Sequence, residues 1–175
     1  TCIAGAHLEG LGSLEAVARE KADIFEGLEA GGTFILPSDD IFFEYLADRA
    51  RDLCPTGNLE TFGHAKDATA RIVGYETDGV SSRVQVDVVG KPVLVTLDAV
   101  GEHWAINVAA ALLAATQTGA SVSDCAEALS GYAPPPGRGT AERLPLPGGG
   151  TFTLIDDAYN ANPGSMRAAL SSLKQ

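Results

Sequence analysis

The segment from Thr151 to Met166 reads as a strand, a polar loop and a helix in direct succession. Residues 151–155 form an apolar, β-branched run after three glycines, and Asn162, followed by proline, is typical of a helix start. The loop between them opens with Asp156 and Asp157. In open α/β sheets, ligands bind outside the carboxyl ends of the strands. The loop is therefore a candidate ligand site, although the same residues could form only a turn and a helix cap.

The order of the predicted elements indicates an α/β fold with a mainly parallel sheet flanked by helices. In the first third we predict a strand through Ala6, a helix from Ser13, a strand from Thr33 to Leu36, a helix from about Ile41 to Leu53 and a strand from Leu59 to Phe62. From Ala68 to Leu97, β-branched alternation between turns predicts a small antiparallel sheet of about three strands. The remaining predicted elements are helices at about 102–118 and 123–131 and a hairpin-like pair at 141–146 and 151–155.

The length, charge and cysteine content of the chain exclude several classes of protein. The chain has 175 residues, the length of one domain, and 45% of them are hydrophobic, which is enough for a buried core. Its formal net charge of −11 disfavours nonspecific binding to nucleic acid or to an anionic membrane, because both require a basic surface. No stretch of sequence approaches the roughly 18 apolar residues of a membrane span. Three widely spaced cysteines fit reduced thiols, so we expect a cytoplasmic protein.

Lys21 breaks the periodicity of the helix that begins after Ser13. Apolar residues recur there at helical spacing from Leu14 to Leu28, and Lys21 falls on the same stripe. The pattern therefore predicts that Lys21 points toward the core. A lysine in that position must extend to solvent, pair with an acid, or lose its charge through a pKa shift or a modification. Extension to solvent is the default for an isolated case.

Polar side chains follow several predicted strands at their carboxyl ends. His7 comes after the first strand, the run Ser38, Asp39 and Asp40 comes after the strand ending at Leu36, and the acidic pair at 156–157 follows the last strand. Their convergence would suggest an edge that binds a metal and phosphate, although each group alone is more often a cap or turn residue.

Two polar residues one turn apart mark the helix that begins near residue 102. His103 and Asn107 share one face, where they could contact a nucleotide or brace neighbouring loops. Further along the chain, a proline-rich connector presents Arg138 between two glycines.

The sequence contains no Gly-x-x-x-x-Gly-Lys-Ser/Thr phosphate loop, and this absence counts against an ATPase hypothesis for the chain by itself.

Taken in order, these motifs resemble the Mur ligase family. The motifs are Ala6-His7-Leu8-Glu9-Gly10, Lys21, Gly101-Glu102-His103 with Asn107, Gly137-Arg138-Gly139, and Asp156-Asp157-Ala158-Tyr159-Asn160-Ala161-Asn162-Pro163. The last motif is most similar to the branch that adds D-alanyl-D-alanine to UDP-N-acetylmuramoyl tripeptide. The resemblance extends from the first residue to the last.

The resemblance implies a fold, a reaction and a setting. Members are three-domain cytoplasmic enzymes of peptidoglycan synthesis, and this chain is similar to their central ATP-binding domain, from after the phosphate loop to just before its end. It would thus be a partial domain that lacks the phosphate loop and the N- and C-terminal domains. In the family, ATP phosphorylates the substrate carboxylate, and an amine attacks the acyl phosphate to give an amide. Magnesium neutralises the phosphate charge in such reactions.

The family's functional residues match individual positions of this chain. By resemblance, His7 is a magnesium ligand, and Lys21 is the lysine that is carbamylated so that its anionic oxygens can reach magnesium. Asn107 corresponds to the asparagine on the adenine side, Arg138 to the arginine near the phosphates, and Asp157 to the carboxylate that meets the ribose.

The rest of the implied nucleotide site is less regular. Asn160 and Asn162 belong to the same loop as Asp157, and His103 stands beside the adenine pocket by resemblance. Trp104 replaces an asparagine that is usual in the family, so the pocket could use stacking instead of an amide contact. Pro37 also replaces a usual asparagine, which leaves the role of the following Ser-Asp-Asp run open.

A second hypothesis comes from a different class of protein: a catalytically inactive nucleotide-binding or interaction module that retains the fold. Without the backbone and lysine of a phosphate loop, the β and γ phosphates lose their main contacts. We therefore expect this chain alone to bind nucleotide weakly and not to turn over.

Overall fold

Strands rich in β-branched residues form one mixed sheet in the computed structural model, which describes residues 2–4, 8–159, 161 and 163–173. Among these residues the sheet contains, side by side and in chain order, β1 (Thr33–Pro37), β2 (Asn58–Gly63), β3 (Ala70–Thr77), β4 (Ser82–Val88) and β5 (Lys91–Leu97). β1 is parallel to β2, and β2 is parallel to β3 over a short stretch. β3, β4 and β5 are antiparallel. A second sheet pairs β6 (Thr140–Pro145) with β7 (Thr151–Asp156) in antiparallel orientation.

Helices connect and cover these strands. They are α1 (Leu8–Leu11), α2 (Leu14–Ala22), α3 (Phe43–Leu53), α4 (His103–Thr116), α5 (Val122–Leu129) and α6 (Pro163–Ser172), and a 3₁₀ turn at Asp23–Gly27 follows α2. The hydroxyl of Ser13 accepts a hydrogen bond from the Ala16 N–H at the start of α2, and Ser121 caps α5 in the same way. In the described part of the chain, no helix combines the length and the apolar character that a membrane span requires.

The predicted α/β class is confirmed, as is the antiparallel group at about 68–97, which is β3 to β5. The antiparallel strands β3 to β5 belong to the same sheet as the parallel strands β1 and β2, because β3 pairs with β2. The predicted strand through Ala6 is different: its described residues, 2–4, are not in a strand, and residues 1 and 5–7 lie outside the described part. Helix α1 was not predicted, because four residues are too few to establish a periodicity.

The core divides into two clusters on the described residues. One lies between α4 and the sheet, where the buried residues alternate along β4 and β5, and includes Val84, Val86, Val95, Leu112 and Leu113. The second surrounds β1 and includes Phe25, Phe34, Leu36 and Leu46, with the Phe25 and Phe34 rings edge to face at 5.2 Å. Each buried leucine stabilises the fold by about 2 kcal/mol relative to its exposed state. Helix α4 crosses the sheet from β1 to β4, so the sheet fixes its direction.

Candidate functional site

The loops after β1 and β2 are joined through a carboxylate. Asp39 accepts hydrogen bonds from the backbone N–H groups of His64 at 2.6 Å and Ala65 at 3.1 Å. Gly63 has φ +146°, and a Cβ there would collide with the same carboxylate. Asp40 is similarly engaged, with N–H donors from Ile3 and Phe42. Both side chains therefore brace loops by accepting backbone hydrogen bonds.

The sequence left the role of Ser38, Asp39 and Asp40 open, and in the structure these residues brace loops. Both oxygens of Asp39 and of Asp40 accept hydrogen bonds, and Ser38 donates its backbone N–H to the Phe62 carbonyl at 2.9 Å. Within residues 2–4, 8–159, 161 and 163–173, no three His, Cys, Asp or Glu side chains gather to hold a metal ion. The convergence expected from strand order is thus not found in the described residues, and His7 lies outside them.

The expectation that Lys21 points toward the core is wrong. Lys21 is exposed, whereas Ala22 and Phe25 are buried. Lys21 lies within α2, and its side chain extends to solvent although Ala18 and Ala22 around it are buried. The 3₁₀ turn that follows Ala22, with three residues per turn, changes the inward stripe only for later residues. Ile24, assigned to the same stripe, is 77% exposed. The default alternative, extension to solvent, is what the structure has.

Lys21 nonetheless borders an apolar depression, here named the α2–α4 groove. The groove has a volume of about 390 Å³ and lies between α2, β1 and α4. Its lining includes Ile3, Ile24, Ile35, Phe62 and Ala110. The Lys21 side chain therefore stands at the junction of solvent with an apolar surface, where an added carbamate would not have to be buried.

Aromatic rings cluster at the start of α4. The rings of His103 and Trp104 lie 5.3 Å apart, and those of Trp104 and Tyr132 lie 5.6 Å apart, in both cases tilted. Trp104 is half-buried against the core, and its Nε1 is buried without a hydrogen-bond partner among the described residues. With a ring on each side, Trp104 supports His103 and Tyr132 more than it presents an open face. Asn107 is half-buried one turn further along the helix.

His103 and Asp157 are electrostatic neighbours. Burial of part of the imidazole lowers the pKa of His103 below its ordinary 6.5, and the Asp157 carboxylate opposes that shift. The folded state therefore disfavours the imidazolium form. The contribution of His103 to stability is complete above pH 6.5 and is lost as the pH falls through the lowered pKa. At neutral pH the ring is uncharged, with one nitrogen free to donate and one to accept.

The proline-rich connector and the loop after β7 hold each other. The Gly139 N–H donates to the Asp156 carbonyl at 2.8 Å, and the Tyr159 N–H donates to the Gly137 carbonyl at 2.9 Å. The Arg138 guanidinium lies over the Tyr159 ring, 4.1 Å from its centroid. Such a cation–π contact stabilises an exposed arginine by about 0.5–1 kcal/mol. Arg138 therefore lies against the loop that follows β7, in which Asp157 is two residues before Tyr159.

The structure thus brings some predicted site residues together and leaves others apart. Arg138, Asp157 and His103 are linked through adjoining loops and the start of α4, with Trp104 and Asn107 on the same helix. Lys21 lies at the separate α2–α4 groove, while Asn160 and Asn162 lie outside the described residues. The roles of Tyr132 and Tyr159 were missed. Their only sequence signal is position, one before the proline-rich connector and one inside the loop.

Gly137 is a position where the site should be sensitive to a methyl group. It has φ +80°, and a Cβ would lie 3.1 Å from the Tyr159 nitrogen. We expect Gly137→Ala to lower the free energy of unfolding by about 1–2 kcal/mol, because alanine is strained at positive φ and crowds the loop. Urea denaturation measures this. Gly148→Ala is the control, because Gly148 has open space around it and no positive φ. Equal stabilities of the two variants would contradict the packing described.

The assembled groups suit a phosphorylated nucleoside. A guanidinium pairs with phosphate oxygens, a carboxylate accepts hydrogen bonds from a ribose diol, and a neutral imidazole with neighbouring rings can border a base. The protein as a whole is acidic, so an anionic ligand requires such a local cation.

The fold and this polar edge define an α/β domain whose side chains suit a phosphorylated nucleoside, and similarity to known proteins identifies its family. The model of the Mur ligase middle domain matches residues 1–115. The chain therefore belongs to the Mur ligase family, whose members are ATP-dependent ligases of peptidoglycan synthesis.

Individual relatives agree with this assignment. The chain is 31% identical, over 173 residues, to the UDP-N-acetylmuramoyl-tripeptide–D-alanyl-D-alanine ligase of Rickettsia prowazekii (strain Madrid E), covering 99% of this chain and 37% of that protein. It is also 31% identical, over 178 residues, to the UDP-N-acetylmuramate–L-alanine ligase of Mycobacterium ulcerans (strain Agy99), covering 99% and 36%. The crystal structure of MurF from Acinetobacter baumannii superposes with a TM-score of 0.87 at 28% identity, over 99% of this chain and 36% of that one. The chain thus spans little more than a third of the length of these relatives.

Proposed function

We propose that this chain is the central, ATP-binding part of a longer cytoplasmic ligase that adds D-alanyl-D-alanine to UDP-N-acetylmuramoyl tripeptide. ATP would phosphorylate the tripeptide carboxylate, and the amine of the dipeptide would displace phosphate from the acyl phosphate to form the amide. The observation that carries the proposal is that one loop in a member of the Mur ligase family contacts Arg138 through Tyr159 and brings Asp157 near His103.

Each of these residues has a proposed task. Arg138, oriented by its contact with Tyr159, pairs with the phosphates, and Asp157 accepts hydrogen bonds from the ribose. His103 and Asn107 border the adenine, with Trp104 supporting the imidazole from within. Asn160 and Asn162 complete the same loop in the proposal. Together they hold the nucleotide so that its γ phosphate faces the acceptor carboxylate.

Magnesium and a carbamate on Lys21 belong to the same proposal. The exposed position of Lys21 beside the α2–α4 groove fits the modification, because the carbamate can form without burial of a charge. His7 is the second proposed ligand. Bound there, magnesium would neutralise phosphate charge. What the chain itself contributes is the placement of Lys21 at the end of α2, fixed by the burial of Ala18 before it and Ala22 after it.

The choice of D-alanyl-D-alanine over L-alanine rests on sequence. Relatives named for either activity are equally similar to the chain as a whole. The Tyr-Asn-Ala-Asn-Pro run at 159–163 favours the D-alanyl-D-alanine branch, as does the likeness to MurF from Acinetobacter baumannii.

A ligase assay on the full-length protein tests the proposal. With ATP, Mg²⁺ and UDP-N-acetylmuramoyl tripeptide, D-alanyl-D-alanine should yield the pentapeptide product with one ADP released per amide bond. L-alanine with UDP-N-acetylmuramate is the matched alternative pair. Product with the second pair alone would move the chain to the L-alanine branch, and absence of both products together with absence of ATP binding would favour the inactive module.

A further inference from the structure

A β-bulge changes which face of the sheet Tyr75 occupies. Ile72 pairs with Val86 and Tyr75 pairs with Val84, although two residues lie between Ile72 and Tyr75 and only one lies between their partners. Residues directly opposite in a sheet share a face, and alternation alone would put Ile72 and Tyr75 on opposite faces. The irregularity between Ile72 and Gly74 thus turns Tyr75 to the side of the buried valines, facing α4.

On that face, Tyr75 joins a directed series of hydrogen bonds, here named the Tyr75 relay. The Ser82 hydroxyl donates to the Ala99 carbonyl at 2.6 Å, so its oxygen accepts from the Tyr75 hydroxyl at 2.9 Å. The Tyr75 oxygen in turn accepts from the Gly101 N–H at 2.7 Å. Each hydroxyl donates once and accepts once. Ser82 is 1% exposed, so the series runs through the interior.

The relay ends at Gly101, two residues before α4 begins at His103. The Gly101 carbonyl accepts from the Trp104 N–H at 3.0 Å, and Gly101 is buried with φ +126°, a conformation suited to glycine. Within the described residues, the start of α4 has no side-chain cap, because Glu102 makes no such hydrogen bond. The contact of Glu102 with His64, at 3.7 Å between exposed groups, holds it weakly. The tertiary hydrogen bond that Tyr75 accepts from the Gly101 N–H therefore holds the chain immediately before the first turn of α4.

We propose that Tyr75 and Ser82 are positioning residues that hold the first turn of α4, and hence His103 and Trp104, in the geometry of the nucleotide site. The assignment to a nucleotide rests on the function proposed above, whereas the placement of the turn does not. Two irregular features, the bulge before Tyr75 and the positive φ of Gly101, serve the same hydrogen bond.

The single tryptophan of the chain makes the test direct. Tyr75→Phe removes one hydroxyl and leaves the buried Gly101 N–H without its acceptor. We expect the Trp104 emission to move to longer wavelength and its quenching by acrylamide to increase, because the first turn of α4 loosens. Tyr45→Phe, the same chemical change at an exposed site on α3, should leave both signals unchanged. Circular dichroism checks that each variant remains folded.

In the full-length ligase, Tyr75→Phe should weaken ATP binding about tenfold, corresponding to about 1.4 kcal/mol, with Tyr45→Phe unaffected. A folded Tyr75→Phe variant with unchanged Trp104 emission and quenching would overturn the proposal. If that variant does not fold, Ser82→Ala replaces it, and unchanged Trp104 signals there would overturn it equally. If Tyr75→Phe changes the Trp104 signals but the wild type binds no ATP, the proposed function is refuted while the placement of the turn stands.

Discussion

Lys21→Ala in the full-length ligase should lower the rate of amide formation by about 10²- to 10³-fold, as expected when one preorganised electrostatic group is removed. The reason is the loss of the proposed carbamate oxygens, and not a loss of packing, because Lys21 is exposed. The melting temperature should therefore change little. The measurement is the steady-state rate of ADP release that depends on tripeptide and D-alanyl-D-alanine.

Chemical rescue separates a carbamate from an ordinary charge. Short carboxylates such as acetate or formate should restore part of the activity of Lys21→Ala, because they can occupy the space of the missing anion. They should not restore a variant inactivated elsewhere. Arg19→Ala, an exposed basic residue on the same helix, is the matched control and should keep full activity. Full activity in Lys21→Ala would refute the carbamate role.

Asp157→Ala should weaken ATP binding by about 10- to 100-fold, the range expected for loss of a hydrogen bond to a charged group. The fold should be affected less, because it is Asp156 whose carboxylate accepts the Ala158 N–H and shapes the turn. Isothermal titration calorimetry on the full-length protein measures the affinity. Glu127→Gln on α5 removes an exposed carboxylate away from this loop and serves as the control.

The same variant has a second readout that does not depend on nucleotide. The Asp157 carboxylate raises the pKa of His103 against the effect of burial, so its removal should lower that pKa further. Titration of the His103 imidazole followed by NMR checks this. Unchanged ATP affinity combined with a lowered melting temperature would instead support the turn-and-cap interpretation of the loop.

Local patterns predicted most elements of the fold, because apolar residues within each element recur at the period of a helix or of a strand. The β-branched alternation from 70 to 97 and the apolar spacing of α4 and α5 required no tertiary information. The orientation of Lys21 failed for a physical reason. A helical wheel gives the direction of the Cα–Cβ bond, whereas the long side chain of a lysine on an inward stripe can extend to solvent. The wheel also assumes 3.6 residues per turn, so the 3₁₀ turn after Ala22 displaces later residues such as Ile24.

The candidate site was only partly accessible from sequence. Strand ends indicated the loop after β7, whose role stays a proposal, but they could not reveal that Asp39 and Asp40 are occupied by backbone N–H donors. Contacts between distant segments were equally hidden. Nothing local to Tyr159 or Tyr75 signals that one supports Arg138 and the other holds Gly101, since the partners are 21 and 26 residues away.

Photo-crosslinking with an ATP analogue that carries an azide on the adenine tests the central claim most directly, because it asks where the nucleotide sits. After irradiation of the full-length protein with Mg²⁺ and digestion, mass spectrometry should find the label within residues 103–107 or at Tyr132, and excess ATP should suppress it. Label confined to another surface, such as the 530 Å³ cavity lined by Glu60, Lys66 and Arg71, would contradict the account.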